Sequence, residues 1–141
     1  MRHRETKENL INEEEIIKFA SKHWGVNYTK MPIQYKLDYA ITKKTNEVIA
    51  FCEVKKRTCS IFDYKTYIIS LAKLQAGRQL ASLTNTKSIL IIGWNDVIGY
   101  VDFNVDFKTL IGGRKDRNDW QDQEPMAEID ILKFKKLNRG S

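Results

Sequence analysis

Ala50-Phe51-Cys52-Glu53-Val54-Lys55-Lys56-Arg57 is an apolar strand that ends in charge, and its reading decides the fold. Side chains at i and i+2 share one face of a strand, so Glu53 and Lys55 project side by side while Cys52 turns the other way, into a core. Fifteen residues before Glu53, Leu37-Asp38-Tyr39-Ala40-Ile41 sets a single Asp in a second apolar run. Thr42 to Glu47 between them has turn composition. Closing the two runs as a hairpin over 35–41 and 47–56 brings Asp38 towards Glu53. Two carboxylates and an ammonium then meet at one edge of a sheet. Carboxylate oxygens suit Mg2+ or Mn2+, and a lysine beside them can orient or deprotonate a water. This is equipment for metal-dependent hydrolysis of a phosphodiester.

A length of 141 residues predicts one domain, spanning 1–141, with a core of its own. The net charge of +6 favours a polyanionic partner, nucleic acid first, although the 18 acidic residues mean that a basic surface has to be argued locally. Two cysteines, Cys52 and Cys59, make no disulfide framework, and no CxxC pair or Cys/His cluster suggests zinc. The first eight residues are polar and no apolar run approaches the roughly 18 residues of a membrane span. A reducing, cytoplasmic setting is expected.

Working outward, residues 1–8 read as a frayed lead-in to a helix from about Glu8 to Trp24, with Ile17, Ala20 and Trp24 on one face and Gly25 as its stop. Glu13 lies over Ile17 and Ala20 on that face, Glu14 about a quarter turn away, and Glu15 further out. The Glu13-Glu14-Glu15 run reads equally as a solvated acidic turn favoured by the helix dipole. Residues 58–65 form a loop whose Phe62 and Tyr64 lie near Lys56, Arg57 and Lys65, a mixture that can stack bases while pairing phosphates or simply pack. Thr66 to Ile69 is extended, Ser70 is a candidate cap, and Leu71 to Leu83 is a helix expected to be largely buried, with Gln75, Arg78, Gln79 and Ser82 as its polar stripe and Lys73 as a misplaced cation. Ser88 to Ile92 reads as a central strand buried on both faces, Val97 to Asp102 as its antiparallel partner, and Met126 to Ile131 as a final edge strand. Between them, 112–124 is a loop dense in charges of both signs, and the tail from Lys133 to Ser141 is basic and should be loose at its end. No repeat or low-complexity linker interrupts the chain. The order predicts an α/β or α+β sandwich, a mixed central β-sheet flanked by helices.

A helical Glu, a strand Asp, then Glu-x-Lys on the next strand and a helix resembles the PD-(D/E)XK nuclease superfamily over about residues 10–102, with its restriction-endonuclease-like core. The run Glu53-Val-Lys-Lys-Arg followed by Tyr67-Ile-Ile-Ser-Leu-Ala-Lys73 is similar to small phage and bacterial nucleases of that type. Leu37 stands where the motif has Pro. The resemblance implies that Asp38 and Glu53 bind Mg2+ (or Mn2+), that Lys55 assists the attacking water, and that Glu13, or its neighbour Glu14, joins the metal site. The Val54 carbonyl, between Glu53 and Lys55, is a further candidate ligand. Lys56, Arg57, Lys73, Gln75 and Arg78 are candidates for phosphate contacts.

The expected function is a metal-dependent nuclease acting on DNA rather than RNA. A non-catalytic nucleic-acid-binding module and the nuclease subunit of a larger complex are the alternatives. An enzyme that cuts both strands at one locus would call for a homodimer.

Overall fold

The computed structural model describes the backbone of residues 2–112 and 124–137, and side chains from Glu13 onward. The charged loop expected within 112–124 and the end of the basic tail fall largely outside the described residues.

The frame is a six-stranded sheet in the order β1-β2-β3-β5-β6-β9. Its strands are β1 (Asn27–Lys30), β2 (Tyr39–Thr42), β3 (Val48–Lys56), β5 (Lys87–Gly93), β6 (Ile98–Asp102) and β9 (Lys135–Leu137). The β2–β3 hairpin forms as its composition predicts, with Tyr39 opposite Cys52 and Ala40 opposite Phe51. Its turn is closed by the Asn46 N–H on the Lys43 carbonyl at 2.9 Å, with Asn46 in the left-handed region at φ 69°. Strand β5 is buried from Ser88 to Gly93, runs parallel to β3 and antiparallel to β6, and so makes the sheet mixed. A parallel pair needs a long crossover. Here β4 (Thr66–Ser70) and helix α2 (Leu71–Thr84) supply it.

Alternation along β3 and β5 sends side chains to two separate cores. On one face, Ile16, Ile17 and Ala20 of helix α1 (Arg2–Trp24) pack on Cys52, Val54, Ile89 and Ile91. On the other, Leu74 of α2 packs with Phe51, Leu90, Ile92 and Phe103. The helix α1 starts at Arg2 instead of fraying to Glu8, and ends at Gly25 as expected, with φ +68°.

Three features differ from the sequence reading. Helix α2 is buried only along Leu74, Gly77 and Ala81, and Leu83 stays 78% exposed, because one sheet and a small second sheet leave its outer side uncovered. Ser70 precedes α2 without a side-chain cap bond. The strand expected at the edge, β8 (Pro125–Asp130), is instead the centre of that second sheet, between β4 and β7 (Lys108–Ile111). The edge position belongs to β9, which the sequence reading did not assign as a strand. Short strands such as β1, β7 and β9 carry too few residues for a periodicity to register.

Helix α2 approaches β5 so closely that the buried Ser88 hydroxyl donates to the Gly77 carbonyl at 2.6 Å. A Cβ at Gly77 would collide with the buried ring of Phe103. Gly77→Ala should therefore destabilise the fold by about 2–3 kcal/mol, as overpacking of a filled core does. Urea unfolding of the variant beside wild type measures this, and an unchanged midpoint would contradict the packing described.

Candidate active site

Antiparallel pairing puts the start of β2 and the end of β3 at the same end of the sheet, so Asp38 and Lys55 meet there without any long-range rearrangement. The Asp38 N–H donates to the Cys52 carbonyl at 3.0 Å, and the Asp38 carbonyl accepts from Met31 N–H at 2.8 Å. Beyond this point β2 has no residue left to pair with β3. The Asp38 side chain takes over: its Oδ2 accepts the Val54 N–H at 2.9 Å. A residue's N–H and C=O leave a strand on the same edge, so the Val54 carbonyl also faces Asp38. One Asp38 oxygen thus has a structural task, and Oδ1 is left for other partners.

Glu53 is the unusual residue. It is 2% exposed, on the α2 side of the sheet among apolar neighbours. Lys55 Nζ lies 3.6 Å from its Oε2 and Lys73 Nζ lies 3.4 Å from its Oε1. Lys73 forms its hydrogen bond elsewhere, on the Lys36 carbonyl at 2.6 Å. The Glu53 Oε1 therefore has an ion-pair neighbour but no hydrogen-bond partner, although it is fully buried. Burial pushes the Glu53 pKa up, Asp38 adds to this, and Lys73 and Lys55 oppose it without overcoming it.

Helix α1 covers the opposite face, and Glu13 near the start of its described side chains lies within electrostatic range of Lys55, Asp38 and Lys30. Its half-buried carboxyl also has a raised pKa, through burial first, against Lys55, with Asp38 adding and Lys30 opposing. Glu14 points elsewhere: it is exposed and accepts the Tyr28 hydroxyl at 3.4 Å. Of the two glutamates left open by the helical wheel, Glu13 is the half-buried one, close enough to feel the charges of Lys55 and Asp38.

The structure brings together Asp38, Glu53, Lys55 and Glu13, and adds Lys73, which was expected to touch phosphate but is bound up with Glu53. Arg78 is committed elsewhere: its guanidinium donates to the carbonyls of Phe103 at 2.7 Å and Val105 at 2.9 Å and lies over the Phe107 ring. It clamps the turn after β6, contrary to the expected phosphate contact. Gln75, Lys56 and Arg57 are exposed, and Arg57 stacks over Tyr67 at 5.5 Å. Sequence reasoning missed Tyr67 and Ser70, which line a small cleft with Glu53, Lys55 and Lys73. Burial raises the Tyr67 phenol to about 12, against the pull of Arg57. Also missed were Lys30 and Lys36, beside Asp38. Their only signal was a basic residue at each end of the connector before Asp38.

Among the described residues no three His, Cys, Asp or Glu side chains close into a ready-made cation cage. The donors still fit a hard cation. Mg2+ binds through one or two carboxylates and keeps several waters, and Asp38, Glu53 and the Val54 carbonyl make such an oxygen set. A cation would also serve the Glu53 oxygen that accepts no hydrogen bond.

The raised pKa gives a signed expectation. In chelator, folded Glu53 holds a proton more readily than its unfolded form, whose ordinary value is 4.5, so its ionised form costs stability at neutral pH and the cost fades as pH falls. Glu53→Gln should thus unfold at higher urea than wild type at pH 7, with the gap narrowing towards pH 5. A gap that widens on acidification would reverse the assignment.

No curated protein matches the chain closely enough to count as a relative. A family model described as "Phage putative PDDEXK endonuclease" matches residues 1–137, which takes in every site residue named above. The hairpin, its acid–acid–lysine end and the match over nearly the whole chain lead to one conclusion: this protein belongs to that family of phage PD-(D/E)XK endonucleases.

Proposed function

We propose that the chain is a divalent-metal-dependent endonuclease that hydrolyses phosphodiester bonds in DNA, with Asp38 and Glu53 as metal-binding carboxylates and Lys55 as the lysine at the reacting phosphate. The observation that carries this reading is the buried Glu53 carboxylate with one oxygen that accepts no hydrogen bond, beside a second acid and two ammonium groups. A buried ion pair offsets its desolvation only when good hydrogen bonds satisfy the remaining oxygens. A binding module without chemistry would have no use for it, and an apolar residue would serve its fold better.

Asp38, Glu53 and the Val54 carbonyl would hold Mg2+ or Mn2+, which supplies Lewis acidity at the scissile phosphate and lowers the pKa of water. The remaining chemistry belongs to the chain. Lys55, half exposed at the strand end, can turn its ammonium towards solvent, orient the attacking water and neutralise charge that develops on phosphate oxygens. Lys73 is less free. Its bond to the Lys36 carbonyl holds it beside Glu53, where its charge favours the ionised carboxylate against the effect of burial. Glu13, with its raised affinity for a proton, is suited to accept one from water or to hold water through its second oxygen. The net charge of +6 supports a polyanionic substrate.

Lys55→Ala should lower cleavage of a DNA duplex by about 10²–10³-fold, the scale of losing one electrostatic group in a site. Its melting temperature should stay near wild type, because the side chain is half exposed. Asp38→Ala should also lose cleavage, and in addition about 1–2 kcal/mol of stability, because the Val54 N–H loses its partner. Cleavage assays in Mg2+, Mn2+ or EDTA on DNA and RNA, beside thermal melts, test both. Wild-type rates for Lys55→Ala, or undiminished cleavage in EDTA, would sink the proposal, and cleavage confined to RNA would replace its substrate.

A further inference from the structure

The connector between β1 and β2, residues 31–37, does more than join two strands. Pro32 opens it with extended geometry, a single 3-10 turn follows at Ile33–Tyr35, and Lys36 sits in the left-handed region at φ 64°. Both ends are tied down. The Met31 N–H bonds the Asp38 carbonyl at 2.8 Å, and the Lys36 carbonyl takes the Lys73 ammonium at 2.6 Å. A lysine in the left-handed region is strained, and persists where its surroundings over-determine it. This loop is tied at both ends to the candidate catalytic cluster, yet its tip carries Ile33 at 94% exposure and Tyr35 at 46%.

Behind the tip lies a cleft of about 500 Å3 lined by Lys30, Met31, Ile33, Lys36, Leu37, Asp38 and Lys73. Its chemistry is divided. Met31, Leu37 and Ile33 offer apolar surface, Lys30 and Lys36 offer ammonium groups, Lys73 is spent on the Lys36 carbonyl and Glu53, and Asp38 lines the same cleft. A free anion would need only the lysines, and an apolar ligand would avoid them. A nucleotide needs both, since it presents a flat apolar base and a charged phosphate a few ångströms apart. Proteins that kink DNA likewise drive aliphatic side chains between base steps and hold the flanking phosphates with basic residues.

We propose that this cleft binds a nucleotide flanking the scissile phosphate of duplex DNA, and that Ile33 is a wedge that unstacks the neighbouring base step. The inference rests on the nuclease reading for the location of the cut, and extends it to substrate selection. Lys30 and Lys36 contact the phosphates on either side of the opened step. Steps that unstack easily, pyrimidine–purine steps above all, are then the preferred sites, because deformation energy is lowest there.

The test uses short duplexes with 2-aminopurine at successive positions, bound to the Lys55→Ala protein in Mg2+ so that the strand stays whole. Fluorescence at one step should rise several-fold on binding. Ile33→Gln in the same protein should abolish the rise while affinity changes less than about threefold, since Ile33 is solvent-exposed and its replacement leaves the core intact. Lys30→Ala and Lys36→Ala should each weaken binding and reduce the slope of log affinity against log salt by about one. A rise that survives Ile33→Gln, or no rise at any position, overturns the wedge. A rise with RNA duplexes and none with DNA overturns the ligand assignment. The two proposals fail separately: if wild-type protein cuts DNA and no signal depends on Ile33, the wedge is wrong and the nuclease stands. If the signal follows Ile33 and wild-type protein cuts nothing in Mg2+ or Mn2+, the nuclease reading is wrong and the cleft stands.

Discussion

A carboxylate buried where the sheet meets α2 sets the terms for everything around it. Taking Glu53 out of water costs several kcal/mol unless opposite charge and hydrogen bonds replace the lost hydration. Two lysines from different elements converge on it, one from β3 itself and one from α2, and even together they leave its proton affinity raised. The site is therefore under-compensated by its own side chains. That is a structural liability in a protein that only needs to fold, and an asset in one that must gather a cation and hold it in a fixed place.

The hairpin solves the positioning problem with few residues. Strand β2 starts one residue after Asp38, and the carboxylate of Asp38 replaces the missing main-chain acceptor for Val54. The same bond that finishes the β3 edge orients the acid. Stability and chemistry share an atom pair here, which explains why the acid lies at the strand's entrance and not within it. Burial on both faces reinforces the arrangement, since α1 holds Cys52 and Val54 from one side while α2 holds Phe51 from the other. Strand β3 cannot slip or twist without opening one of the two cores.

Two loops flank this end of the sheet. The β1–β2 connector is tied to Asp38 and to α2. The β3–β4 loop is anchored to the β5–β6 turn, through Asn95 N–H on the Cys59 carbonyl at 3.0 Å and the Ile61 N–H on Asp96 at 3.1 Å. Each presents exposed apolar or aromatic side chains, Ile33 and Tyr35 on one, Phe62 and Tyr64 on the other. Lys136 lies over the Phe62 ring at 4.4 Å, so a residue from the far edge strand also reaches this loop. Rigid backbones with apolar tips beside a charged cluster suit a polymer that is both stacked and anionic.

Local pattern alone determined the parts of this protein in which neighbouring residues supply each other's constraints. Alternation in Phe51 to Lys55 set Glu53 and Lys55 on one face and Cys52 on the other. Turn composition from Thr42 to Glu47 set the hairpin that brings Asp38 to them, and the period of Ile17, Ala20 and Trp24 with Gly25 set the end of α1. Tertiary structure decided the rest. Glu13 and Glu14 differ by about a quarter turn, and only the seat of α1 on the sheet separates the half-buried glutamate that feels the charges of Lys55 and Asp38 from the exposed one that meets Tyr28. Lys73 and Arg78 lie on one helix with similar local surroundings, but one ends beside Glu53 and the other on the carbonyls of Phe103 and Val105. The second sheet depends on pairing between β4 and β8, strands nearly sixty residues apart. A side chain's partner across such distances is chosen by how layers pack, and packing leaves no periodic trace in the order of residues.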